Sequence, residues 1–448
     1  MRQKCTVQSS IFDVYANHEI GRELKAVSDW LDANSKVLDW VAEELCRQGI
    51  QNTGRIGLSA ESILRCAILK QYRQLSYEEL AFYLEDSLSM QAFARLPLTL
   101  RPKKSALQRG ISAISDEVWE RINRLLLMDA KTRKVEQGRT IRVDSTVTET
   151  PIHKPTDSSL LWDAVRIQVR LLEQAQKLAG ELRLEWHDHR RVAKKRAYQI
   201  QYSRGKEKKA QWYRELIKAA RQGLAYLVKA WIKLSQQQPD AVSFAAWQEE
   251  AKHYQMLIEQ VISQTERRVM KGEQVPAAEK VFSLFEEHSD IIIKGSRDIQ
   301  YGHKLNLTTG VSGLVLDVVI EAGNPADSER FIPLLDRQIE IYGRSPRQVA
   351  ADGGYASKDN VQQAKDRGVK DVAFSKKKGL KVEQMAKSEW VYRKLRNFRA
   401  GVEAGISCLK RAYGLTRCTW KKLAGFKAYV WSAVVTHNLV VFSRRLAT

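Results

Sequence analysis

Cysteine is scarce in this 448-residue chain and follows no pairing pattern. The five residues (Cys5, Cys46, Cys66, Cys408 and Cys418) are odd in number and contain no Cys-x-x-Cys. That spacing excludes a disulfide framework and a zinc finger, and it fits a reducing compartment. Long apolar runs are missing as well. The most apolar stretch, "YVWSAVVTHNLVVF", is too short to span a bilayer and carries Thr436, His437 and Asn438. The leading "MRQKCTVQSS" lacks the apolar core of a signal peptide, so the expectation is a cytoplasmic protein without a membrane partner. The third shortage is of acid: 52 Asp and Glu stand against 74 Lys and Arg, a formal charge of +22. A polyanion is the partner such a balance calls for.

The excess positive charge is concentrated in two places. From Ala164 to Ser235 there are 18 Lys and Arg against 6 Asp and Glu, and from Lys376 to Lys422 there are 14 against 3. The two net charges, +12 and +11, already exceed the total of +22, so the rest of the chain is about neutral. Both runs are interleaved with aromatics, among them Trp186, Tyr198, Tyr202 and Trp212 in the first and Trp390, Tyr392, Phe398 and Trp420 in the second. A merely solvating segment lacks these. The expectation is sequence-independent, salt-sensitive contact with phosphate backbones. Candidate DNA contacts are Lys194, Lys195 and Arg196 in the first run, and Arg396, Arg399, Lys410 and Arg411 in the second.

Residues 1 to about 135 read as helices. "SAESILRCAILKQYRQL" and "YEELAFYL" are amphipathic and meet at a turn near Leu75, the second opened by a capping box from Ser76 to Glu79. This pair suits either a helix-turn-helix or plain packing and dimerisation. Another capping box is expected from Ser105 to Gln108. "TIRVDSTVTET" is a β-branched strand closed by Pro151. Residues 157 to 285 then read as helices punctuated by Gly205, Gly223, Pro239 and Gly272. Strands return with "HKLNLTTG" and "GLVLDVVIEAG", an antiparallel hairpin around "VSG", followed by "RQVAADGGY" and "KDVAFS" with helices between. Two helices, about 388–412 and 425–445, finish the chain. The class is α/β: a mixed sheet over 136–156 and 286–448, interrupted after its first strand by an all-α insertion (157–285) and preceded by a helical DNA-binding or dimerisation domain (1–135).

Asp352 ends an apolar strand and precedes Gly353-Gly354, while Asp144 lies in the first strand. If those strands are neighbours the two carboxylates converge, and like charges at close range require a cation. Carboxylates without His or Cys nearby select Mg²⁺ or Mn²⁺. The glycine pair would leave room for a phosphate backbone. A third acid is available in "RNFRAGVEAGISCLKRAYG", where Arg396, Arg399, Glu403 and Lys410 share a helical stripe about 60° wide. Leu395, Val402, Ile406 and Leu409 form the adjacent apolar face, which can pack on the sheet.

"VDST", "ADGGY" and the spacing Arg399-x3-Glu403-x6-Lys410 resemble the DDE transposases of bacterial insertion sequences, whose catalytic domain is RNase H-like. The last spacing is similar to that group's YREK signature, with Arg396 in place of its Tyr. "LSAESILRCAILKQYRQLSYEELAFYLEDSLSMQAFARL" is similar to the leading domain of such enzymes, and the resemblance covers about residues 55–150 and 290–445. It implies Asp144, Asp352 and Glu403 as catalytic residues holding two Mg²⁺ or Mn²⁺ ions about 4 Å apart. It also implies cleavage at the ends of an insertion sequence and transfer of the freed 3′-hydroxyls to target DNA. The implied partners are double-stranded DNA, as terminal inverted repeats and as target, and a homodimer or larger homo-oligomer, in a bacterial cytoplasm beside the nucleoid. An RNase H-like nuclease or resolvase, and a DNA-binding protein without strand transfer, are the alternatives.

Overall fold

The computed structural model describes residues 18–47, 57–97, 99–237, 240–294, 298–376 and 378–447. The chain divides into two compact units, one made of Met1–Pro151 with Ile292–Thr448 and the other of Ile152–Ile291.

The first unit opens with helices α1 (Glu19–Ala33), α2 (Lys36–Arg47), α3 (Ala60–Tyr72), α4 (Tyr77–Asp86), α5 (Leu88–Phe93), α6 (Lys104–Ile111) and α7 (Asp116–Thr132). The Ser76 capping box forms: Glu79 N donates to Ser76 Oγ at 3.1 Å and Ser76 N donates to the Glu79 carboxylate at 2.7 Å. The box expected at Ser105 does not. Helix α6 starts two residues earlier, with Lys103 at its N-cap, which places Ser105 inside the first turn. Helix α3 is buried from Ala60 to Gln71, and its one guanidinium, Arg65, is matched by Glu61 at 3.1 Å and Asp32 at 2.7 Å.

The sheet contains β1 (Thr140–Glu149), β2 (Asp290–Lys294), β3 (Asp298–Gly310), β4 (Val315–Ile320), β5 (Gln348–Ala351) and β6 (Asp371–Phe374). Strand β1 lies between β3, antiparallel to it, and β5, parallel to it; β6 continues the parallel side. Strands β2 and β4 both pair with β3. This is the expected mixed α/β class, an RNase H-like sheet with a helical lead. Strand β2 goes beyond the sequence reading, since "DIIIK" is too short a run to show alternation.

Helices α12 (Asp327–Tyr342), α13 (Lys358–Asp366), α14 (Val382–Met385), α15 (Glu389–Ala412) and α16 (Lys422–Ala447) complete the unit. Helix α15 packs on β1, β5 and β6, while α16 packs on α7, α3 and α1. The leading helices therefore share one compact unit with the sheet, through α16, where a separate leading domain was expected. Helix α16 is the apolar stretch noted above, and its side chains are buried on almost every side from Ala428 to Val440. No described helix is long and apolar enough to cross a membrane. Of the polar residues of the stretch, Asn438 is fully engaged: it accepts from Val315 N at 2.8 Å and donates to Val315 O and Asn123 Oδ1, both at 2.7 Å.

The second unit is a helical body of α8 (Asp157–Leu178), α9 (Arg190–Tyr202), α10 (Lys206–Gln237) and α11 (Ala241–Thr265), in which α8 packs against the other three. Gly223 is not the break that the sequence suggested, because α10 runs through it. A Cβ there would sit 2.1 Å from Gln168 Oε1, so the glycine lets α8 and α10 cross closely. Gly205 and Gly272 do lie outside the helices, and Pro239 lies outside the described residues.

The Asn438 contacts yield a stability test. Asn438→Leu would leave the Val315 amide and the Asn123 side-chain carbonyl unmatched in the core, and would leave the Val315 carbonyl only the long 3.5 Å bond from Asn123 Nδ2. Each unmatched group costs about 1–3 kcal/mol, so we expect a loss of about 3 kcal/mol in urea denaturation.

Candidate active site

Strand register sets the site. Val143 aligns with Ala351, and Ala351 with Phe374. One step further along these parallel strands come Asp144, Asp352 and Ser375, side by side. The β5 strand ends there because Gly353–Tyr355 turn into a short 3₁₀ helix.

Helix α15 brings a cation to this edge. Arg399 Nη2 lies 2.9 Å from Asp144 Oδ2 and 3.2 Å from Asp352 Oδ1, and its Nη1 lies 2.9 Å from Glu403 Oε1. The three predicted acids are therefore assembled around one guanidinium, which itself had been expected to face DNA. The side chains grade outward from Asp144, 13% exposed, through Asp352 at 42% to Glu403 at 68%.

Two anchors hold α15 in place. Arg142 on β1 donates to Thr309 Oγ1 and to Phe398 O, both at 2.9 Å, and its guanidinium lies 4.7 Å from the Phe398 ring centroid. Gly401 makes room for it, since a Cβ there would sit 2.3 Å from Arg142 Nη1. At the start of the helix the buried Tyr392 donates its hydroxyl to Phe374 O at 2.7 Å.

The Asp352 carboxylate remains ionised for identifiable reasons. Burial alone would push the Asp352 carboxyl up, but hydrogen bonds from Ser375 Oγ (2.7 Å) and neighbouring amides, with the Arg399 charge, hold it below the ordinary carboxylate range. Asp144 Oδ1 accepts from Ser145 N at 2.8 Å. Beneath them Tyr355 is fully buried. Burial first, then the charges of Asp327, Asp144 and Asp352, push its phenol far up, so it stays neutral and donates to Asn306 Oδ1 at 2.6 Å.

The glycine pair plays a different part from the one expected. A Cβ on Gly353 would sit 2.8 Å from Lys376 Cβ, and one on Gly354 would sit 2.6 Å from Asp327 Oδ2. The space beside both glycines is thus filled by this chain's own side chains, leaving none there for a phosphate backbone.

The other candidates are scattered. Arg396 and Arg411 are exposed on α15. Lys410 is half-buried, which lowers its pKa against the opposing pull of Glu149. In the helical body, Lys194 and Lys195 are exposed, whereas Arg196 turns inward to Glu215 at 2.6 Å. The α3–α4 pair is poorly suited to reading DNA, since α3 is buried and α4 exposes Glu78, Glu79, Glu85 and Asp86.

The donor set is of carboxylate oxygens alone, the chemistry that Mg²⁺ or Mn²⁺ takes, and the guanidinium marks a place where positive charge is held. These residues fit such an ion. As they stand, with Arg399 between them, no three acidic, His or Cys side chains among the described residues are grouped closely enough to hold one.

Sequence reading missed Ser375, Arg142 and Tyr355. Ser375 was within reach, because it follows "KDVAF" by the same step that separates Asp352 from "VAA". Arg142 and Tyr355 act through tertiary contacts that no local pattern carries.

Residues 293–439 match a family described as the transposase DDE domain, and residues 18–112 match one described as a transposase domain. The first match takes in Asp352, Arg399 and Glu403; Asp144 and the helical body lie outside both. No curated protein and no solved structure matches the chain.

Arg399→Ala should cost about 2 kcal/mol at pH 7, less than the roughly 3–5 kcal/mol of a fully buried pair because Asp352 and Glu403 meet water. Asp352 titrates below its unfolded value, so its stabilisation is present above about pH 3.9 and lost as pH falls through the depressed value. The gap between wild type and variant should therefore narrow below about pH 4. Urea denaturation at several pH values measures it, and a gap independent of pH would mean that Arg399 acts by packing.

Proposed function

We propose, the chain being a DDE transposase of the insertion-sequence kind, that it cuts phosphodiester bonds at the ends of its element and joins the freed 3′-hydroxyls to target DNA. The observation that carries this reading is the meeting of Asp144 in β1, Asp352 just past the end of the neighbouring β5 and Glu403 on α15, around one guanidinium on a partly open edge.

Asp144, Asp352 and Glu403 would hold the divalent ions. Such ions supply Lewis-acid stabilisation of phosphoryl oxygens and an activated oxygen nucleophile. The chain's own contribution is to hold the acids in place. Ser375 orients Asp352, Ser145 N orients Asp144, and Arg142 with Tyr392 fixes the helix that presents Glu403. The outward gradation of the three acids leaves the Glu403 side open to an incoming strand.

DNA contact divides between two regions on this reading. Arg396 and Arg411, exposed near Glu403 on the same helix, meet the backbone close to the scissile bond. The helical body meets it through Lys194 and Lys195, and its chain leaves the sheet after β1, the strand that bears Asp144. Homo-oligomerisation fits the leading helices, where Phe82, Tyr83 and Leu88 are exposed on α4 and α5. A double-stranded end paired with a second end is the substrate such an oligomer would hold.

Asp144→Asn, Asp352→Asn and Glu403→Gln should each lower Mg²⁺-dependent cleavage of an end-bearing duplex by about a thousandfold or more while leaving gel-shift affinity nearly intact. Sequencing-gel mapping of nicked 3′ ends provides the measurement, and near-normal turnover in any one variant removes that residue from the site.

Arg396→Ala and Arg411→Ala should each reduce the slope of log affinity against log salt by about one phosphate contact. Arg196→Ala should leave that slope unchanged, because its guanidinium is already held by Glu215.

A further inference from the structure

Helix α9 of the helical body displays an unusual face. At 100° per residue, Arg191, Lys195, Tyr198 and Tyr202 fall within an arc of about 60°, and Lys194 widens it to about 100°. All five are exposed. The opposite side of the helix, Ala193, Ala197 and Ile200, is buried in the core of the body. Tyr198 and Tyr202 are 63% and 65% exposed, so their rings do little for that core. They stand together instead, with centroids 4.4 Å apart and planes tilted by 40°.

Charge decides what such a face attracts. Residues 190–204 contain no Asp or Glu, and Arg204 and Lys206 prolong the exposed positive charge past the end of the helix. Arg190 and Arg196, which lie off this arc, are the ones that carboxylates hold, Asp188 and Glu173 for the first and Glu215 for the second. The arc itself keeps cations for an outside partner. Paired aromatic rings within a field of exposed Lys and Arg are the elements of a stacking platform for unpaired bases, with the backbone following the cations. A duplex engages only the cations, because its bases are already stacked.

We propose that the Tyr198–Tyr202 face of α9 binds single-stranded DNA, each ring offering its outer side to an unstacked base while Lys194, Lys195 and Arg191 hold the phosphates. The rings lean too closely on one another to admit a base between them. This rests on the reading that the chain acts on DNA, and it adds a distinct substrate form: the strand left unpaired where an end is opened.

Fluorescence anisotropy on the full-length protein tests it, with a labelled oligothymidylate of about 16 nucleotides beside a duplex of equal length. Y198A/Y202A should weaken binding of the single strand about tenfold and of the duplex less than about twofold. Y198F/Y202F should bind both as wild type does, because stacking needs the ring and not the hydroxyl. K194A/K195A should weaken both ligands and flatten both salt slopes. Equal weakening of strand and duplex in Y198A/Y202A, or no change in either, overturns the platform. So does a changed mass in light scattering with unchanged strand binding, which would make the face a contact between copies of the chain. If K194A/K195A leaves duplex binding untouched, it is the assignment of the helical body to DNA that fails, while the strand measurement with the tyrosine variants still judges the platform by itself.

Discussion

One guanidinium among three carboxylates is the arrangement on which the active edge depends. Asp144 and Asp352 are brought side by side by backbone pairing alone, and like charges so placed raise the energy of the fold unless a cation joins them. Arg399 does this, from a helix that the chain reaches only after the whole sheet is built. Because Glu403 lies one turn further along the same helix, the cation that relieves the first two acids also brings in the third.

That geometry places demands on elements some distance away. The helix has to approach β1 closely, which explains a glycine at position 401 and an arginine on the strand that reaches into the gap. It has to be fixed against β6, which Tyr392 accomplishes through a backbone carbonyl. Beneath the acids, the neutral Tyr355 phenol links the turn after β5 to Asn306 on β3, so the antiparallel and parallel halves of the sheet are tied directly under the charged groups.

Much of this was legible in the sequence because it follows from periodicity. Asp144 stands within a β-branched run and Asp352 at the end of an apolar one, and the stripe of Arg399 and Glu403 repeats at helical spacing, so strand, helix and acid could be read together. What escaped depends on contacts across long sequence separations. The glycines after Asp352 looked like space for a ligand, yet Lys376 and Asp327 occupy it. Arg196 looked equivalent to Lys194 and Lys195, and only the position of Glu215 on the next helix distinguishes it. Gly223 looked like a helix break because a break and a close helix crossing call for the same residue.

The placement of α16 bears on how the molecule comes into being. It is the last element in chain order, yet it covers α1, α3 and α7, which are synthesised among the first. Contacts of such separation are closed late and at a high entropic cost. Until α16 emerges from the ribosome, the faces of α1, α3 and α7 that it covers stand open, and a nascent chain that stops short presents surface suited to chaperones and proteases. A chain that stops before residue 422 lacks the helix that joins the leading helices to the sheet by packing on both.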